Sequence, residues 1–277
     1  MKETLRLAVV QMDVRIDDIP HNQGAIARLY TTAAQSSPDL VLFPEAALSG
    51  YCYNSYAEVK PYLLSAAEVE RFCRRLMDMV DHPAPAVALG FLEIAEDGVY
   101  NSAILCQADG SSDVYRKTHL PVLGVDRFIQ RGSEIGVMDV AGVPTGVLIC
   151  YDIRFPEAAR IVALRGADLL LLPTNWPEGA ESAPDYVLRA RARENRIYIA
   201  AANRIGMERG RRFIGRSQIV DPSGTVLSEA TANREAVLIA DIEPAAARAK
   251  RIVIEPGAWE QDTLGDRRPE LYGELTT

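Results

Sequence analysis

The sequence predicts an α/β fold in one domain, and three observations carry that reading. Short apolar runs rich in strand formers alternate with stretches of helical spacing along most of the chain. The runs are continuous rather than alternating, as in sheets covered on both faces. No linker, low-complexity tract or clear internal repeat divides the 277 residues. We read residues 1–277 as a single domain, with a core over about 5–245 and a weakly organised tail over about 256–277.

The elements follow in order. Leu5–Met12 (LRLAVVQM) is a first strand. Asn22 opens a helix with Ile26, Leu29, Tyr30, Ala33 and Ala34 on one face. DLVLFPE, Asp39–Glu45, is a second buried strand, and Val69, Phe72, Cys73, Leu76 and Val80 again keep helical spacing. AVALGFLEI, NSAILCQ and DVYRK are strands in series, with ADGS as the turn before the last. PTGVLIC is a strand. PEAARIVALRG is a helix with proline in its first turn and glycine at its end. ADLLLLPTN is a strand and PDYVLRARARENR a helix. IYIAAANR, RSQIV, TVLSEA and EAVLIADI are strands, and DPSG turns between RSQIV and TVLSEA.

Composition excludes several functions. The hydrophobic fraction is 48% and the charged fraction 25%, those of an ordinary soluble protein. The net charge of −8 argues against a nucleic-acid or anionic-membrane partner, which wants a basic face. The arginines of RARAREN and MERGRRF do not reverse this. Arg189 and Arg193 share a helix face and are expected in ion pairs within or between subunits. No apolar run reaches the roughly 18–20 residues of a membrane span. The N-terminal MKETLRLAVVQMDV reads as a strand, not a signal peptide. The four cysteines, Cys52, Cys73, Cys106 and Cys150, form no CxxC pair, so a zinc site has no support. A cytoplasmic protein with reduced thiols is the expectation.

In α/β sheets, ligands bind beyond the carboxyl ends of the strands. Glu45 follows LVLFP, Lys117 follows DVYR, Cys150 follows TGVLI, and Thr174, Asn175 and Trp176 follow LLLLP. Spacing alone does not make these converge. Cys150 is either a small core residue or a nucleophile held at a strand end. Cys73 and Cys106 read as core. Glu45 is either a surface charge or a carboxylate drawn inward, where burial would raise its pKa and suit it to act as a base. Lys117 is either solvated or an ammonium that stabilises a thiolate and an oxyanion. His119 ranks behind Glu45 as a base, because no Asn or Asp that would orient it is evident.

Together these residues resemble the nitrilase, or carbon–nitrogen hydrolase, superfamily. The resemblance lies in LVLFPEAALSGY, YRKTHLP, GVLICYDIRFPEAARIVALRGADLLLLPTNW, RARARENRIYIAAANRIG and GRSQIVDPSGTVL, in family order from about residue 5 to 245. It implies a four-layer αββα sandwich that packs through a helical face into dimers or larger assemblies, with no metal or organic cofactor. It implies a Glu–Lys–Cys triad at Glu45, Lys117 and Cys150. The cysteine would attack an amide carbonyl, with Lys117 and the backbone N–H of Tyr151 holding the oxyanion, and a thioester would then be hydrolysed. The family's second glutamate, between the lysine and the cysteine, is missing from LPVLGVDRFIQRGSEIG. Asp126 is the nearest substitute; otherwise it pairs with Arg127 or Arg131 at the surface.

The form CYDIRFPE resembles the amidase-like branches rather than true nitrilases, which favours a small-molecule amide substrate. Arg154 either binds a substrate carboxylate or pairs with Asp152 or Glu157. Tyr51, Asn175 and Trp176 are candidates to line the pocket, with core filling the alternative for Trp176. The alternatives are an N-carbamoyl amidohydrolase, a nitrilase, a non-catalytic binding protein on the same fold, and a redox sensor at Cys150.

Overall fold

The computed structural model describes residues 2–81 and 83–276. Two β-sheets pack face to face, and helices cover both outer faces. The first sheet is built from β1 (Leu5–Asp13), β2 (Leu40–Leu42), β3 (Ala86–Ala95), β4 (Gly98–Cys106) and β5 (Ser112–Arg116). β1, β2 and β3 run parallel, while β4 and β5 fold back antiparallel. Its helices are α1 (Ile19–Ala34), the single turn α2 (Tyr56–Val59) and α3 (Ala66–Met77).

The second sheet begins with β6 (Val137–Val140) and β7 (Val143–Val147). After α4 (Pro156–Leu164) comes β8 (Leu169–Pro173), and after α5 (Leu188–Asn195) comes β9 (Tyr198–Ala202). β7, β8 and β9 are parallel. β10 (Arg204–Ile205) then adds parallel to the end of β1 in the first sheet, and β11 (Met207–Glu208) and β12 (Arg211–Arg212) pair with each other. β13 (Gln218–Val220) and β14 (Val226–Glu229) then complete the second sheet. β15 (Ala236–Ile242) crosses back to pair antiparallel with β1 in the first. This is the α/β class expected from sequence, and its layers run αββα.

The strand pleat explains why the apolar runs are continuous. Along β1, Leu5, Leu7 and Val9 point into the core between the sheets, while Ala8, Val10 and Met12 face α1 and α3. Both faces are dry, so no polar alternation is needed. Each fully buried side chain of this size contributes about 1.5–3 kcal/mol. α3 is set by a capping box: Ser65 accepts from the Glu68 N–H and Glu68 reaches back to the Ser65 N–H.

Four expectations are corrected. The first helix starts at Ile19, not Asn22, because Asp18 caps it by accepting from the His21 N–H. Asn22 is instead buried and ties Arg15 and Leu48 together. The second strand stops at Leu42, so Glu45 lies in the turn beyond it. Within the described residues Arg189 and Arg193 form no ion pair inside the chain; they donate to the carbonyls of Gly224 and Ser223 in the turn before β14. Finally, the tail holds a hairpin. After α6 (Pro244–Arg248), β16 (Arg251–Glu255) pairs antiparallel with β17 (Trp259–Asp262). Pro256 and Gly257, whose φ is +74°, form its turn. The end of the hairpin rests on the outer helices, where Thr263 donates to the Glu194 carbonyl and accepts from Arg160.

Candidate active site

Glu45 is placed by β2 and by a close approach to β3. Phe43 donates to the Ala88 carbonyl and Gly90 to the Pro44 carbonyl, so the turn is strapped to β3. The approach is possible because residue 90 is glycine. A Cβ there would lie 2.4 Å from the Pro44 oxygen and 2.6 Å from the Glu45 Cα. Lys117 continues β5, with its N–H on the Asn101 carbonyl at 2.8 Å.

Cys150 follows β7 at the start of a 3₁₀ turn, Cys150–Arg154. Its φ is +46°, a left-handed conformation that costs a non-glycine residue about 1–2 kcal/mol. The residue is partly exposed where the other three cysteines are buried, while its side chain packs against the inter-sheet core. As the second residue of that turn, Tyr151 has an N–H with no intrahelical acceptor.

The structure brings Glu45, Lys117 and Asp126 together with no exposure of their side chains. Lys117 Nζ donates to Glu45 Oε1 at 2.7 Å and to Asp126 Oδ2 at 2.6 Å. Asn101 Nδ2 bridges the same two carboxylates, at 2.7 Å to Glu45 and 3.0 Å to Asp126. The Tyr51 hydroxyl donates to Asp126 Oδ2 at 2.8 Å. The Asp126 turn is carried to this point by the Val125 N–H on the Tyr51 carbonyl. Gly124 allows it, since its φ is +49° and a Cβ would meet the Tyr51 ring at 2.5 Å. Asp126 is therefore not the surface partner of Arg127 or Arg131 but a buried partner of Lys117.

These contacts set the charges. Burial pushes the Glu45 carboxyl up, and Asp126 adds to the rise against the pull of Lys117 and Asn101. Burial opposes the Lys117 charge, yet Asp126 and Glu45 outweigh it and hold the ammonium well above its ordinary value. The Cys150 thiol is pushed well up by burial and by Glu45, with Lys117 and the Asn175 N–H favouring the thiolate. The resting pocket thus holds a thiol beside an ammonium and two carboxyl groups. Among the described residues, Glu45 Oε2 is buried without a hydrogen-bond partner. So are both polar atoms of the Asn175 side chain, at the end of β8.

The remaining candidates are spread around this cluster. Trp176 is buried in the inter-sheet core, its N–H on Asn203. The Tyr151 side chain is exposed and stands edge-on to Phe155. Arg154 is exposed and pairs with neither Asp152 nor Glu157; it donates to the Ser182 hydroxyl at 2.9 Å. His119 does have an orienting aspartate, since its Nδ1 lies 2.8 Å from Asp152 Oδ1. Sequence reasoning missed Asn101 and took Asp152 only as a partner for Arg154. The only signal for Asn101 was an amide inside the apolar run of β4.

Among the described residues, no group of three or more His, Cys, Asp or Glu side chains is arranged to hold a metal ion. No described helix is long and apolar enough to cross a membrane.

A buried carboxylate–ammonium cluster beside a raised thiol, at the strand ends of an αββα sandwich, defines a cysteine hydrolase class. The carbon–nitrogen hydrolase family model matches residues 6–252, so the chain belongs to the carbon–nitrogen hydrolase family. It is similar to a nitrilase of Pyrococcus abyssi, 34% identical over 97% of this chain and 99% of that one. It is also similar to an (R)-stereoselective amidase of a Pseudomonas species, 31% identical over 98% and 94%. Among solved structures, an amidase of Nesterenkonia sp. AN1 superposes with a TM-score of 0.79 at 28% identity, over 97% of this chain and 95% of that one. That structure carries the acetamide moiety of fluoroacetamide added covalently at its active-site cysteine. The chain is thus a hydrolase of carbon–nitrogen bonds in the amidase-like branch of the nitrilase superfamily.

Proposed function

We propose that this protein hydrolyses the amide bond of a small linear amide, with Cys150 as nucleophile, Glu45 as general base and acid, and Lys117 as oxyanion donor. The observation that carries the reading is the free Oε2 of Glu45, buried and unpartnered while Oε1 is held by Lys117 and Asn101. One oxygen is fixed and the other is left for a proton.

The steps follow from the charges. Glu45 takes the proton of Cys150 as sulfur attacks the carbonyl carbon, which avoids a free thiolate in a pocket that disfavours one. The C=O electron pair moves onto oxygen, where the Lys117 ammonium and the Tyr151 N–H receive it. The carbonyl re-forms, the C–N bond breaks, and Glu45 returns its proton to the leaving nitrogen. Water then adds to the thioester, giving its proton to Glu45, and the acid leaves as Cys150 recovers its own. Asp126 holds the lysine, in place of a longer carboxylate, and Tyr51 holds Asp126. Asn175 supplies an unpaired amide for the substrate, and Trp176 backs the pocket wall. The exposed guanidinium of Arg154, which donates to the Ser182 hydroxyl, suits a carboxylate at the far end of a substrate.

We infer also a cytoplasmic protein, since its four thiols are unbonded, and a homo-oligomer. Exposed Ile161 and Leu164 on α4, with Trp259, Leu271 and Leu275 in the tail, support a partner copy on that side. The test of function is ammonia release from a panel: simple aliphatic amides, ω-amides of dicarboxylates, a carbamoyl amino acid and a nitrile. Wild type should act best on an amide, and Cys150→Ala should be inactive. Release of carbon dioxide from the carbamoyl compound would point instead to the N-carbamoyl reaction. Undiminished turnover by Cys150→Ala would sink the mechanism.

A further inference from the structure

Outside the cluster that touches the thiol, one buried carboxylate collects more donors than any side chain the mechanism uses. Asp152 is fully buried, two residues after Cys150. Its Oδ2 accepts from the Ile149 N–H at 2.9 Å and from the Tyr115 hydroxyl at 2.8 Å. Its Oδ1 accepts from the Thr118 hydroxyl at 3.0 Å and the His119 N–H at 2.9 Å, and meets His119 Nδ1 at 2.8 Å. The two halves of this set belong to different sheets. Ile149 is the residue before the nucleophile, on the elbow after β7. Tyr115, Thr118 and His119 flank Lys117, at the end of β5. The stacked pair of His119 and Phe155, with ring centroids 4.0 Å apart, closes the same joint from the solvent side.

The thiol and the ammonium thus reach the pocket from opposite sheets. Backbone ladders fix each within its own sheet, but no ladder crosses between them at this point. A carboxylate with charge-assisted bonds to both sides is the element that sets their relative position. An error of about 1 Å between reacting groups can cost about a hundredfold in rate.

We propose that Asp152 is a positioning residue that locks the Cys150 elbow to the Lys117 strand end. This rests on the reading of Cys150 and Lys117 given above. The aspartate touches neither the substrate nor the reacting atoms and acts through Ile149, Thr118 and His119. Tyr115 remains its donor at any working pH, since burial and the carboxylate itself keep the phenol protonated.

The test uses iodoacetamide rather than an amide substrate, so that it does not depend on knowing the substrate. In alkylation the Cys150 sulfur displaces iodide, and its proton passes to Glu45. Cys52, Cys73 and Cys106 are buried, so one fast-reacting thiol is expected in the folded protein. Asp152→Asn keeps the size of the side chain but turns one acceptor into a donor facing donors. We expect its alkylation rate constant to fall about ten- to a hundredfold, well below its melting temperature. We also expect its pH profile to lose the limb set by Glu45 and to rise as for an ordinary thiol. A purely structural aspartate would lower the melting temperature and leave the rate and profile of the folded fraction unchanged, which would overturn the proposal. If Asp152→Asn does not fold, Thr118→Val and Tyr115→Phe each remove one donor and keep the carboxylate. Each should slow alkylation severalfold, and wild-type rates in both would overturn the proposal equally. The outcomes separate the two claims. Loss of fast alkylation in Cys150→Ala tests the nucleophile, and only the Asp152 series tests the lock.

Discussion

Lys117 Nζ lies 2.6 Å from Asp126 Oδ2, closer than the 2.7 Å to Glu45, and neither side chain meets solvent. The lysine is thus shared by two carboxylates, and Asn101 spans the same pair from the other side. A buried lysine with a single acid would be free to swing toward it. Held between two, its ammonium is fixed in place and kept charged.

The first consequence is a pH profile. Burial first, then Asp126, holds the Glu45 carboxyl above the ordinary range. As the proposed base, Glu45 would accept the thiol proton only as a carboxylate, so kcat/KM is expected to fall as pH drops through that raised pKa. Asp126→Asn removes one of the charges that raise it, and the acid limb should move to lower pH, alongside a loss of turnover from the looser lysine. A profile of kcat/KM against pH for both proteins decides this. An acid limb that stays in place, or moves up, would show that Asp126 does not act on Glu45.

The second concerns stability. Lys117→Met leaves two carboxylates buried without their cation, a kind of change that costs about 3–5 kcal/mol. The expected result is a large drop in the urea midpoint, together with turnover reduced about a hundred- to a thousandfold by loss of the proposed oxyanion donor. Adding Asp126→Asn to Lys117→Met should recover part of the stability and none of the activity. A single variant within about 0.5 kcal/mol of wild type, as for a surface change, would mean that the carboxylates are protonated or solvated after all.

The strand ends that carry Glu45 and Cys150 were readable because each follows an unbroken apolar run, and a polar residue there has few places to go but the sheet edge; Lys117 follows the polar, mostly exposed SDVYR and was legible only as the end of a strand. Asp126 was harder. It sits in a loop nine positions after the lysine, and only Gly124 and the Tyr51 carbonyl bring it inward. Asn101 was unreadable, since one amide in a strand is as often a ladder residue as a bridge between acids. Asp152 was considered only as a partner for Arg154, because sequence proximity does not reveal that the carboxylate turns inward toward another sheet. The strands β10, β11 and β12 are two residues each. β6 is only four residues long and mostly half-exposed. Such short elements lack the length for a periodic signal.

A third prediction tests how Glu45 is aimed. Gly90→Ala would set a methyl group 2.4 Å from the Pro44 oxygen and 2.6 Å from the Glu45 Cα, both backbone atoms that cannot rotate away. Overpacking of this kind costs about 1–3 kcal/mol. Because the displaced segment carries the proposed base, turnover should fall more than tenfold even where the protein is fully folded, by the steep dependence of rate on alignment. Thermal melting and turnover measured together give the answer. A variant that melts lower yet turns over normally would show that Glu45 is held from elsewhere.

The last prediction concerns a second buried ion pair behind the Tyr51 loop. Glu208 Oε2 accepts from the N–H groups of Tyr51 at 3.0 Å and Cys52 at 2.9 Å. Its other oxygen is paired with Arg204, whose guanidinium is fully buried over the Phe213 ring and also donates to the Val14 carbonyl. Glu208→Gln keeps an acceptor for the two N–H groups but leaves the buried arginine to the exposed Asp13, 3.6 Å away, at a cost of up to about 3–5 kcal/mol. Most of the turnover should survive below the melting point, because Tyr51 stays tied and still donates to Asp126. Glu208→Ala should lose both stability and turnover, since the loop that carries Tyr51 is then untethered. Urea denaturation and turnover of the two variants separate the charge from the tether. Equal turnover in Gln and Ala variants would mean that Tyr51 keeps its place without Glu208, and that the pair serves the fold alone.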